Sequence, residues 1–155
     1  MMKYLLSAFV FTASVLAGCS GLKTYPNTSA KNLDIHTRTN AGSFLSSTRA
    51  SLDIFTVNNA CQTSYQGTVT LDKETRTIGL PAERPSYLVF RFESSSFLAN
   101  SSGATSYDTL LTPLPDRHYD VDVRYLDGIY SVTILERTTG DRKANRIAPV
   151  ELKDC

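Results

Sequence analysis

The chain has 155 residues, 41% apolar and 20% charged, which suits one folded domain with its own core and excludes a disordered chain. Sixteen Lys and Arg stand against fifteen Asp and Glu, so no broad field exists to hold nucleic acid or an anionic surface. Eight Tyr and seven Phe without Trp, beside many Thr and Val, lean toward β structure.

Residues 1–18 place Lys3 before an apolar run, Tyr4–Leu16, broken by Ser7, Thr12 and Ser14, and close on Ala17 and Gly18. That run has the size of a signal-peptide centre and is short for a bilayer span. Leu16-Ala17-Gly18-Cys19 resembles the lipobox of bacterial lipoproteins in residue type and position. The resemblance implies cleavage before Cys19, a diacylglyceryl thioether on its sulfur, and a fatty acid such as palmitate on the new α-amino group. Two or three acyl chains give stable anchoring, at ~0.8 kcal/mol per buried methylene. Ser20 stands where an Asp would suggest inner-membrane retention, so the analogy favours the outer membrane. Losing Lys3 with the leader takes the charge balance from 16 − 15 to 15 − 15, a neutral mature chain.

Gly21–Lys31 is polar and aperiodic, and with Cys19 it predicts a lipidated tether over 19–31. From residue 32 to 155 short strand-like runs recur between turn signals. They are Leu33–Thr39, Ala50–Val57, Tyr65–Asp72, Thr75–Leu80, Tyr87–Glu93, Ser106–Thr112, Tyr119–Leu126, Ile129–Arg137 and Arg146–Leu152. This spacing predicts an all-β fold: a single antiparallel β-sandwich of seven to nine strands, immunoglobulin- or transthyretin-like. Ala41–Ser47 has room for one helical turn, and Ser94–Ser106 reads as a mobile serine-rich loop. Asp127-Gly128 suits a type I′ turn, which pairs Tyr125 with Tyr130, Val123 with Val132 and Val121 with Ile134 on one face. Tyr87–Phe92 is apolar on both faces, as a central strand requires.

With Cys19 lipidated, Cys61 and Cys155 are an even pair in an oxidising compartment. A disulfide between them closes a loop of about 95 residues and contributes ~4–5 kcal/mol in the chain-entropy view. Two free thiols, or a bond to a partner, are the alternatives. These cysteines and two histidines lack metal-ligand spacing, so neither a metal nor another cofactor is expected.

Asp120 and Asp122 share a strand face, near Asp116 and Asp127 in sequence, without a calcium-loop pattern. Arg124 and Arg137 offer counter-charge, and a solvated strand face is the expectation. His36 and His118 are the only imidazoles, and no nucleophile motif accompanies them. Phe44-Leu45 and Phe97-Leu98 each sit between small polar residues, as contact points for a partner or as caps on the core ends.

These features point to a non-enzymatic envelope lipoprotein, a binding or assembly module at the outer membrane, its domain on the periplasmic side, with an envelope protein as partner. In architecture alone it resembles small lipoprotein subunits of envelope-spanning machines, such as that of type VI secretion. A second reading is a carbohydrate- or ligand-binding domain using Tyr65, Tyr87, Tyr107 and Tyr119. A third, an envelope hydrolase, needs His118 beside an acid and a nucleophile in a cleft.

Overall fold

Strands that are apolar on every second residue must bury that face against another sheet. The computed structural model, which describes residues 22–39, 46–96, 101–126, 129–141 and 143–155, meets that demand with nine strands. These are β1 (Leu33–Thr39), β2 (Ser46–Val57), β3 (Thr63–Thr70), β4 (Thr75–Ile78), β5 (Ser86–Ser96), β6 (Ser101–Leu111), β7 (Arg117–Leu126), β8 (Ile129–Thr138) and β9 (Asn145–Ile147). One sheet runs β4-β1-β7-β8-β9 and the other β3-β2-β5-β6, and the two pack face to face as an all-β sandwich.

Leu33 and Ile35 of β1, Leu52 and Ile54 of β2, Leu88, Phe90 and Phe92 of β5, and Tyr119, Val121 and Val123 of β7 fill the core. Each such aliphatic or Phe side chain contributes about 1.5–3 kcal/mol by leaving water. Within β7 and β8 the register follows the expected pairs, Val121 with Ile134, Val123 with Val132 and Tyr125 with Tyr130. The Asp127-Gly128 turn itself lies outside the described residues. β5 is central, between β2 and β6, with Leu88, Phe90 and Phe92 inward.

Some expectations need correcting. β1 and β7 pair in parallel, Leu33 beside Tyr119 and Thr39 beside Tyr125, whereas the other pairs of named strands are antiparallel. The last strand stops at Ile147, because Pro149 has no N–H to continue a ladder. The chain then crosses to the other sheet, where Leu110 N–H donates to Val150 O (2.8 Å). Ser94–Ser96 and Ser101–Ser106 are paired strand, since ladder bonds come from the backbone whatever the side chain. Ser46 and Ser47 begin β2; the rest of the Ala41–Ser47 stretch is outside the described residues except as that strand's start.

The segment expected as a free tether is bound from Lys23 onward. Thr24 bridges Thr68 of edge strand β3, with Thr68 N–H donating to Lys23 O (2.7 Å) and Tyr25 N–H to Thr68 O (3.1 Å). The Tyr25 hydroxyl donates to Gly79 O (2.8 Å), and Gly79 N–H donates to Asn27 Oδ1 (2.7 Å). Its polarity comes from groups that satisfy two sheet edges, which composition alone does not distinguish from a solvated linker. Two glycines permit the contact. Gly67, at the β2–β3 bulge with φ +146°, would bring a Cβ within 2.6 Å of the Tyr25 backbone. At Gly79 a Cβ would stand 2.2 Å from Ser29 O.

Gly79→Ala is therefore expected to lift residues 23–30 at a cost of about 1–3 kcal/mol. Trypsin cleavage at Lys23 and Lys31 should accelerate while the sandwich stays intact. An unchanged digestion rate would count against this contact.

Candidate functional site

The sandwich brings Cys61 and Cys155 together across 94 residues, with Cα atoms 5.8 Å apart and sulfurs in disulfide contact. The Cys61 loop is shaped by Asn58, whose Oδ1 accepts from Ala60 N–H (2.9 Å) and Gln62 N–H (3.0 Å). Cys19, Phe44, Leu45, Phe97 and Leu98 lie outside the described residues.

The outer face of the five-stranded sheet is a charge lattice. Parallel pairing sets Asp34 beside Asp120 and His36 beside Asp122. His118 Nε2 stands 2.8 Å from Asp34 Oδ2, and Thr77 donates to Asp34 Oδ1 (2.7 Å). Arg137 Nε is 3.1 Å from Asp120, while Arg124 grips Asp122. Arg124 and Arg137 thus supply the expected counter-charge, but the aspartates form a paired, half-buried strand face rather than the solvated one expected. Ligand atoms of Asp34, His118 and Asp120 lie within 4.8 Å of one another, but Arg137 already places a positive charge on Asp120.

His118 has an acid beside it, and on this open face its hydrogen bond, among the described residues, goes to that acid and to no nucleophile. Sequence reasoning missed Asp34; the alternation Asp34-x-His36 on a strand was the available signal. Burial raises the Asp34 carboxyl, but hydrogen bonds from Thr77 and His118, with the charge of the two histidines, outweigh it and lower the pKa below the usual range. A lowered carboxylate contributes stability that is complete above its unfolded value and lost as pH falls through the folded one. Below about pH 4 the wild type should therefore weaken more steeply than Asp34→Asn in urea titrations. Parallel curves for the two proteins would exclude this role.

The outer face of the four-stranded sheet has a different chemistry. Tyr65, Phe55 and Tyr87 form a row across β3, β2 and β5, with ring centroids 5.4 and 5.9 Å apart. Beside them, buried Asp53 accepts from Thr68 Oγ1 and Arg91 Nε, each at 2.5 Å. The Tyr87 hydroxyl donates to Asp108 (2.8 Å), and burial, then that carboxylate, pushes the phenol up to about 12. Of the four tyrosines expected to line a ligand site, only Tyr65 and Tyr87 share this face. Tyr119 is a core residue, 1% exposed, and Tyr107 packs on Phe90 from the inner side. Phe55 and Asp53 were missed because each sits singly within an apolar run.

At one end of the sandwich, among the described residues, a cluster of apolar side chains is exposed beside serine-rich strand ends. Ser46 pairs with Ser96 and Ser96 with Ser101, while β1 ends beside Tyr125 and β7 returns as β8. Leu126, Ile129 and Tyr130 are exposed there, Ile129 by 74%. Phe92 joins the two sheets at this level, its ring 5.9 Å from Tyr125 and 5.4 Å from Tyr130. The strands flanking both Phe-Leu connections, 40–45 and 97–100, end on this side.

Comparison with protein-family models, with curated proteins and with solved structures returned no match for the chain.

Proposed function

We propose that this chain is an outer-membrane lipoprotein whose β-sandwich is a non-enzymatic binding and assembly module, accessory to an envelope-spanning machine. The observation that carries the binding role is the exposed cluster of Leu126, Ile129 and Tyr130 at one end of the sandwich. Apolar side chains gathered in this way favour a protein partner over solvent. The strand ends around Phe44-Leu45 and Phe97-Leu98 converge on that end, so the two connections would widen the same surface.

The anchor supports the reading from the other side. Lys23 is already bonded to β3, so four residue steps separate a lipidated Cys19 from the sheet, at most ~14 Å of chain. Lipid on Cys19 would hold the β3–β4 edge close to the bilayer. Ile54, opposite Gly67 beside the bound segment, is eight residues from Ser46, about 26 Å along the strand. The apolar end would then project away from the attachment point, toward a periplasmic partner.

Crosslinked pull-down of the full chain from envelopes tests this. One envelope protein should co-purify, and Leu126→Ser with Ile129→Ser should reduce its recovery about tenfold, as should Phe44→Ser with Phe97→Ser. Unchanged recovery in both would sink the binding surface. Normal maturation of Cys19→Ser, or insensitivity to globomycin, would overturn the lipoprotein reading.

A second reading rests on the Tyr65–Phe55–Tyr87 row, three rings tilted by 54° and 51° to one another, which offers a sugar ring an aromatic contact. Loss of glycan retention in Tyr65→Ala and Tyr87→Ala, with the protein partner unaffected, would favour it.

A further inference from the structure

The edges of β3 and β4 are partly covered, and the remaining edge of the five-stranded sheet is β9, only three residues long. Residues 23–30 run along β3 and β4, and β9 covers Ile134–Glu136 of β8. β6 differs. It pairs with β5 over eleven residues without a bulge, and its other side is an edge of the sheet. Leu110 N–H points away from β5, since it donates to Val150 O. Antiparallel pairing alternates, so Asp108, Ser106, Ala104 and Ser102 also turn their N–H and C=O outward. Among the described residues no backbone group meets them.

The usual protections of an edge strand are lacking as well. Ser101–Leu111 holds no Lys, no Pro and no bulge, and Asp108 is its single charge. Such an edge recognises one chemistry, an extended backbone, and the Val150 contact is already an instance at its far end. The sequence of β6 also matches itself.

We propose that β6 is a self-association surface, pairing antiparallel with β6 of a second copy about a two-fold axis at Thr105. In that register Ala104 of one copy faces Ser106 of the other, and Ser102 faces Asp108. About eight backbone hydrogen bonds form, and the two four-stranded sheets become one of eight. The carboxylate of each Asp108 meets a serine, so no like charges oppose. Thr105 meets Thr105, and Tyr107 falls opposite Gly103, where the missing side chain leaves space for the ring. These matches favour a second copy over a foreign strand, which would have to supply them independently. The inference is separate from the apolar end and from the lipid.

Cysteine crosslinking in the full chain tests the register. Cα atoms of a non-hydrogen-bonded antiparallel pair lie ~4.5 Å apart, close enough for a disulfide. Thr105→Cys should therefore give a species of twice the mass on a non-reducing gel, in envelopes and after mild oxidation of purified lipidated protein. Ser102→Cys, six residues from its own counterpart in this register, should not. Ala104→Pro removes an N–H that faces away from β5, so it should retain the β-sheet circular dichroism and lose the double-mass species. Ala104→Lys with Ser106→Lys, which opposes lysines across the axis, should do the same even if proline disturbs the strand. The proposal is overturned if Thr105→Cys stays monomeric, if it joins a protein of another mass, or if Ser102→Cys crosslinks equally well.

Discussion

Replacing Cys61 and Cys155 together with serine is expected to lower the unfolding free energy by about 4–5 kcal/mol. The sulfurs close a loop spanning 94 residues of sequence, and the chain-entropy cost of leaving that loop open falls on the unfolded state. Little in the folded state compensates. Glu151, Lys153, Asp154 and Cys155 are exposed, and the Leu152–Asp154 turn buries no residue. The tail is otherwise tied by Leu110 N–H to Val150 O and by Val150 N–H to Thr109 Oγ1. With a urea m-value near 2 kcal/mol/M, the midpoint should drop by about 2–3 M, and reduction of the wild type should reproduce the drop. A midpoint within about 0.3 M of wild type would show that the bond does not constrain the chain.

Phe92→Ala is the second large effect, about 3–5 kcal/mol. The ring is 1% exposed and closes the core at the apolar end. It also stacks on Tyr125 at an interplanar angle of 19° and meets Tyr130 at 30°, so its loss removes two aromatic contacts together with the buried area. Phe90→Ala, equally buried but touching Tyr107, should cost a similar amount without loosening the hairpin end. Hydrogen exchange separates them. Amides near Tyr125 and Tyr130 should exchange faster in Phe92→Ala than its global destabilisation explains, and in Phe90→Ala they should follow the global value. Equal patterns would mean that Phe92 is only core volume. Because Leu126 and Ile129 adjoin these tyrosines, partner recovery should fall in Phe92→Ala as well.

Much of the fold was legible in local pattern. Strand-like runs between turn signals overlapped all nine strands and β1 matched at both ends, but the last run, expected over Arg146–Leu152, is strand only at Asn145–Ile147. In β7 and β8 the expected cross-strand register appeared residue for residue, since a one-residue slip would turn Val121 and Val123 to solvent. The Cys61–Cys155 pairing followed from counting. Errors clustered where composition stood in for pairing: serines between Ser94 and Ser106 form a ladder, and the polar stretch after Leu22 binds two sheet edges.

The candidate sites were less accessible, because they depend on which strands become neighbours. His118 meets Asp34, 84 residues away, only because β1 lies parallel to β7. Tyr65, Phe55 and Tyr87 form a row only because β2 separates β3 from β5. From sequence alone came the β class, the shared face of the β7–β8 hairpin and that of Leu88, Phe90 and Phe92, the hairpin register and the lipobox resemblance at Cys19. All rest on short-range periodicity, residue type or a contiguous motif. Tertiary structure alone decided the parallel β1–β7 pair, the binding of residues 23–30, the common end of the loops and the open edge of β6. Those follow from long-range edge matching, which leaves no period in the chain because the matching groups are backbone N–H and C=O, present at nearly every residue alike.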